Sequence, residues 1–370
     1  MIRKKKIHSY LLASLLALGA FCACEDDNKD NNSGSKSSAA GILEFTIESD
    51  VVTSAPVVDV ETGRISFAVS DAATSEQLKL APVIKVSDNA TVTPASGEVQ
   101  DFSKAVTYTV VAEDGTVKKY STVVSRQNVL KFTFDEWVSV GESQAKHDEP
   151  MPQDSLASSV QGASLLFLFG VNGFPVYKTE DKVAGEYAIK LVSMNTSKAA
   201  SELVPALTAG SVFTGKFDMG PAFTDKLKCT KFGIVYDKKP LRFKGWYKYT
   251  PGKYFIDGTD YKQIDTISNK VDQCVVQAIL YKVSSYSEYL DGHDINTSDK
   301  RVAVAALPDG SAKSEYTQFD IPFEWLDGKS YEEGVMYKLA IVCSSSKEGD
   351  YFKGAGESTL FLDEIEVIGK

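Results

Sequence analysis

This sequence predicts an all-β chain: an N-terminal immunoglobulin-like sandwich followed by a larger jelly-roll β-sandwich. Three observations lead there. Short runs of β-branched and aromatic residues recur from Ile42 to the C-terminus, turn-forming residues separate them, and helical periodicity is weak throughout. At 370 residues the chain has enough material for two domains with sizeable cores.

The first segment belongs to neither domain. Residues 1–23 join a basic start (Arg3, Lys4, Lys5, Lys6) to an apolar stretch from Leu11, too short to span a bilayer, and end in Phe21-Cys22-Ala23. That is the pattern of a secretory signal peptide. With Ala23 before it, Cys24 resembles the lipobox cysteine of bacterial lipoproteins, whereas bulky Phe21 makes Cys22 the weaker candidate. The resemblance implies lipid attachment at Cys24. Several acyl chains at about 0.8 kcal/mol per buried methylene would make that anchor permanent. Residues 24–41 are acidic and Ser-rich with no large apolar side chain, so a flexible tether spanning about 20–25 Å is expected. Glu25-Asp26-Asp27 resembles the export signal of surface-exposed lipoproteins in glycan-degrading Gram-negative bacteria, which implies an outer-membrane, cell-surface location. The same acids also suit a solvated linker.

Residues 42–127 read as the small sandwich. Candidate strands are 42–47, 56–60, 65–69, 78–86, 106–111 and 117–124, with Gly63-Arg64 and Asp114-Gly115 as turns between paired runs. The stretch from Val86 to Gly97, then Asp101-Phe102-Ser103, Tyr108-Thr109-Val110 and Asp114-Gly115-Thr116, resembles the Ig-like domains that precede binding domains in such lipoproteins. No titratable cluster stands out, so a spacer role is expected.

Residues 128–370 carry longer, more aromatic runs. Candidate strands are 130–134, 165–169, 187–194, 211–217, 231–235, 241–250, 271–283, 301–307, 316–323, 337–343 and 359–368. Eleven strands with one short helix, expected over 198–207, favour a two-sheet jelly roll.

Composition excludes several function classes. The formal charge of −10 deepens to −14 once the four basic residues of the signal are removed. No nucleic acid partner is expected of so acidic a chain, and the membrane is reached through the lipid anchor only. Cys229, Cys274 and Cys343 are widely spaced without a CxxC, so they read as buried free thiols and no metal site is assigned. After the signal only His147 and His293 remain, and neither sits in a catalytic motif. No cofactor is called for; Gly354-Ala355-Gly356 precedes a strand and lacks the Gly-Lys-Ser/Thr of a phosphate loop.

Alternation along 241–250 singles out the candidate site. Leu241, Phe243, Gly245, Tyr247 and Tyr249 share one face, which reads as core; Arg242, Lys244, Trp246, Lys248 and Thr250 share the other. A flat indole among polar groups suits a sugar, which stacks its apolar face and hydrogen-bonds its hydroxyls. The ligand-binding set expected from the sequence is Trp246, Lys248, Tyr247, Tyr249, Trp325 and Arg242. A Trp246 packed under a loop, with solvated lysines, fits the same pattern. Gln273 and Gln277 share a strand face that meets either ligand or solvent. Asp135, Glu136 and Asp363 are weighed as calcium ligands, and Asp257/Asp260 and Asp291/Asp294 as hydrolytic carboxylate pairs.

Several separated stretches then point to one family: Phe134-Asp135-Glu136-Trp137, residues 209–215, residues 241–252, Ser344-Ser345-Ser346-Lys347-Glu348-Gly349-Asp350, Gly354-Ala355-Gly356 and residues 358–364. Together, over 129–370, they resemble the Putative carbohydrate metabolism domain of bacterial surface lipoproteins. That resemblance implies a jelly roll similar to carbohydrate-binding modules, in proteins of glycan capture or breakdown. The expectation is a surface lipoprotein that binds complex glycans, polysaccharide or oligosaccharide, in company with an outer-membrane transporter. A glycoside hydrolase on the same scaffold, or an adhesin or structural subunit, are the alternatives. No catalytic residue carries over from the family.

Overall fold

The computed structural model describes residues 36–370; the expected signal, Cys24 and most of the tether lie outside the described residues. Almost everything described is strand and turn, and no helix among these residues is long and apolar enough to cross a membrane.

In the N-terminal sandwich, Ile42–Thr46 pairs with Val83–Val86, opposite a sheet in which Val52–Asp59 pairs with Arg64–Ser70. Phe45, Ile65, Phe67, Tyr108 and Tyr120 are buried between the layers. Arg64–Ser70 runs parallel to residues 121–127 of a 16-residue strand, Val117–Phe132. That strand does not stop where the first domain does. Its last residues, 128–132, pair antiparallel with 365–369 of the C-terminal strand Thr359–Gly369, so one ladder runs from the small sandwich into the large one. The boundary drawn at 127/128 therefore falls inside a strand. Arg126 clasps the junction, donating to the carbonyls of Asp71 (3.0 Å) and Ala73 (2.9 Å).

The C-terminal part is the expected jelly roll. Its first sheet orders Val176–Thr179, Ala188–Val192, Thr359–Gly369, Pro240–Thr250 and Lys313–Pro322. Its second orders Leu156–Ser158, Ser211–Phe217, Tyr337–Ser344, Val275–Lys282, Arg301–Ala306 and Glu324–Trp325. Phe243, Tyr247 and Tyr249 of the first sheet meet Val276, Leu280, Leu339 and Ile341 of the second in one apolar core. The period-two reading of residues 241–250 holds: odd positions from Phe243 to Tyr249 are buried and the even ones are partly open.

Two expectations fail. Residues 165–169 form a 3-10 turn, Ser164–Phe169, continuing the short helix Val160–Ala163, and not a strand. A short apolar run does not reveal its period, and Gly170 closes the turn at φ +75°, a conformation open to glycine. The helix expected over 198–207 reduces to the 3-10 turn Ser197–Ala199. There the Ser201 hydroxyl accepts from the Leu203 and Val204 amides, diverting the backbone donors that a helix needs.

Tyr247 is 2% exposed and packs edge-on against Phe319, ring centroids 6.2 Å apart. Truncating it leaves a cavity between the sheets. Tyr247→Ala is expected to destabilise the chain by about 3–5 kcal/mol, read from urea midpoints, as for other large aromatic truncations.

Candidate functional site

The structure scatters the constellation expected around Trp246. Trp246 stands on the outer face of the first sheet, partly buried, opposite Gln318 on one neighbour and Asp363 on the other. Tyr247 and Tyr249 share its strand but have the opposite parity, so both are sealed in the core; Tyr249 donates its hydroxyl to the Ser345 carbonyl at 3.0 Å. They are removed from any ligand surface. Trp325 lies at the edge of the other sheet, packed against the core with the Lys239 ammonium 5.7 Å from its ring centroid.

Two of the three cations on the face of Trp246 already have partners. Lys248 is ion-paired with Asp181 and lies over the Phe361 ring at 4.4 Å, while Arg242 grips Asp320 through Nε at 2.5 Å. The segment 181–187 is drawn onto this face by two carboxylates. Asp363 Oδ2 accepts from the amides of Val183 (2.7 Å) and Ala184 (3.0 Å), and Asp135 Oδ1 from Glu186 (2.5 Å) and Tyr187 (3.1 Å). Two of the three acids weighed as calcium ligands thus hold a loop. Among the described residues no group of three or more His, Cys, Asp or Glu is arranged for a metal.

The carboxylate pairs weighed for hydrolysis prove to build turns. Asp257 is bridged to Lys353 at 2.7 Å, which with the Thr259 hydroxyl depresses its carboxyl to about 2, too acidic to donate a proton at neutral pH. Asp294 accepts the Asp291 amide at 2.8 Å and Asp291 the His293 amide at 2.9 Å. His293 faces Asp225 at 2.9 Å. His147 lies 3.3 Å from Glu149, whose other oxygen takes the Ser158 hydroxyl at 2.9 Å. The serine binds the acid, not the imidazole, and is fully buried, so no nucleophile is presented. Cys229, Cys274 and Cys343 are buried free thiols; burial pushes Cys274 up to about 12.

A second candidate surface, a cleft, lies on the outer face of the other sheet. Val275 and Gln277, Val342 and Ser344, and Ser211 and Phe213 present the outer face of the second sheet as the floor of a cleft of about 320 Å³. Its walls come from four loop regions: 159–169, 203–209, 217–230 with 292–296, and 344–352. Phe169, Phe217, Phe223 and Phe352 project from these loops, and Phe223 is 57% exposed at the lip. Phe213 is buried on the floor against Phe232, ring centroids 4.9 Å apart. Gly162 is required here: a Cβ would stand 2.9 Å from the Phe217 ring. Polar groups are few. The Gln277 amide donates to Asn296 Oδ1 at 3.0 Å, and Lys226, Lys347 and Asp350 supply the only lining charges among the described residues. Burial raises the Asp350 carboxyl.

A buried network holds the wall 344–352. Asp272, 1% exposed, accepts at Oδ2 from Ser346 Oγ (2.5 Å), the Ala355 amide (2.8 Å) and Ser358 Oγ (2.8 Å). Ser193 Oγ joins it through Ser346 (2.6 Å) and Ser345 (2.8 Å), and Gly210 donates its amide to Ser345. The Ser344-Ser345-Ser346 and Gly354-Ala355-Gly356 stretches are thus structural supports of the cleft.

Sequence reasoning reached Gln277 but missed the cleft. Its phenylalanines come from segments nearly two hundred residues apart. The one local signal was Val275 and Val342, apolar residues at positions whose parity points outward.

Residues 104–368 match the family described as Putative carbohydrate metabolism domain, and residues 42–124 match the family described as SGBP, N-terminal. Among solved structures, a protein of Bacteroides thetaiotaomicron described as a "putative glycoside hydrolase" is 30% identical. The match covers 92% of this chain and 99% of that one, with a TM-score of 0.57. One of Bacteroides vulgatus with the same description is 26% identical over 65% of this chain and 98% of that one, with a TM-score of 0.55. Among curated proteins none matches.

Two tests follow from the polar groups around the cleft. Asp272→Ala orphans buried donors at about 1–3 kcal/mol each, so a large fall in the urea midpoint is expected, with Asp272→Asn losing less. Lys338 points outward from the same sheet, 1% exposed, its ammonium 3.0 Å from the Tyr289 ring centroid and without a hydrogen-bond partner among the described residues. Burial, then nearby Lys216, lowers it to about 8 from an ordinary 10.5. Between those values the unfolded chain holds the extra proton, so stability from this group rises with pH. Lys338→Met is expected to abolish that rise in denaturation midpoints taken from pH 7 to 10.

Proposed function

Because the chain belongs to the Putative carbohydrate metabolism domain family, we propose that it captures complex glycans at a cell surface, with the Phe-lined cleft of the second sheet as the binding site. One observation carries the choice of site. The cleft is a concave surface on which six phenylalanines and a few polar groups converge, in the volume range of small-ligand pockets. The outer face of the first sheet offers a single tryptophan among cations that are mostly ion-paired already. The match of residues 42–124 to a family described as SGBP, N-terminal supports the same reading, with the first domain as a spacer. Cys24 would carry the lipid that anchors the chain to the outer membrane, and an outer-membrane transporter would receive the captured glycan.

Binding is favoured over hydrolysis by the cleft's charge. Among the described residues Asp350 is its one lining carboxylate, and two-carboxylate hydrolysis needs a pair about 5–9.5 Å apart.

On a glycan array, Phe217→Ala and Phe223→Ser are expected to lower retention at least tenfold, whereas Trp246→Ala changes it less than twofold. Retention that follows Trp246 instead returns the site to the first sheet. Incubated with the retained glycans, the protein is expected to release no reducing ends; release that Asp350→Asn abolishes would establish an enzyme.

A further inference from the structure

The cleft is more apolar than a sugar ring requires. Six of its lining residues are phenylalanine and none is tyrosine or tryptophan; leucines, valines and one isoleucine form much of the remainder. A sugar offers one weakly apolar face inside a belt of hydroxyls. Each hydroxyl pressed against a Phe or Leu wall loses its water at about 1–3 kcal/mol. A bare oligosaccharide therefore suits the open side of such a cleft, and the interior calls for a group with few hydroxyls.

The charged groups of the cleft narrow its chemistry. Lys226 gives its ammonium to the Glu202 carbonyl at 2.7 Å, and Lys347 lies 3.4 Å from the Gln273 amide oxygen. Neither makes an ion pair among the described residues, so both keep donor capacity for a ligand acceptor. Among glycan substituents, an acyl ester combines an apolar tail with a carbonyl acceptor that has no donor of its own. Resting on the glycan-binding reading, we infer that the cleft recognises glycans bearing ester-linked acyl groups, acetyl or aromatic. The acyl group packs among Phe169, Phe217 and Phe223, and the ester carbonyl takes a hydrogen bond from Lys226 or Lys347.

The test is binding of the full chain to native ester-bearing polysaccharides, such as acetylated and feruloylated arabinoxylan and acetylated glucomannan. Each is presented beside its own saponified form. Phe223→Ser and Leu203→Ser probe the lip, where the residues are 57% and 38% exposed and truncation spares the core. Native glycans are expected to bind about tenfold more tightly than saponified ones, a preference that both variants erase. Equal binding of native and saponified forms overturns the ester inference and leaves glycan capture standing. An ester preference that survives both lip variants moves the ester site out of this cleft and equally overturns it. Failure to bind any native form removes the glycan reading itself, and this inference with it.

Discussion

The end of the sandwich that carries the cleft is organised around one carboxylate kept from water, Asp272. Its oxygens gather the Ser346 and Ser358 hydroxyls and the Ala355 and Gln273 amides, so segments distant in sequence converge on one acceptor. Burial raises this carboxyl and those hydrogen bonds oppose the rise. A buried acid is tolerable only when its lone pairs are occupied, and here they are. The consequence reaches the ligand surface. Ser344, Ser346, Lys347 and Asp350 line the cleft, and the segment that bears them is fixed by this network.

The two outer faces of the jelly roll solve the same problem differently. The first sheet covers its outer face with charge: Lys248 on Asp181, Arg242 on Asp320, Lys131 on Glu364, and the 181–187 segment held by Asp135 and Asp363. Such a surface is satisfied in water and leaves little for a ligand to gain. The second sheet covers its outer face with loops whose aromatic side chains stop short of closing over Val275, Gln277 and Val342. Apolar surface left open in a concavity is the condition that favours binding. The shared strand Val117–Phe132 makes the small sandwich a ladder-bonded extension of the large one.

Much of this fold was legible in the sequence because strands declare themselves by a period of two. The run 241–250 assigned its own faces, and the odd/even split survived into the structure, including the burial of Tyr249 and the outward position of Trp246. Legibility ended where one side chain had to be given partners. Tyr247 and Tyr249 flank Trp246 along the strand, but their parity places them in the core and away from any ligand. The five apolar residues Leu165–Phe169 carry no period that separates a strand from the 3-10 turn they form.

What the sequence determined by itself is local: strand positions, which residues share a face, the scarcity of histidine and the match to a carbohydrate-related family. What the tertiary structure decided is which outer face remains open. That depended on the Asp135 and Asp363 carboxylates pulling one loop down over the first sheet, and on three wall segments standing Phe169, Phe217, Phe223 and Phe352 around the second. These are contacts between residues tens to hundreds of positions apart. Alternation fixes only the side of a strand on which a residue lies, whereas loop packing fixes what covers that side.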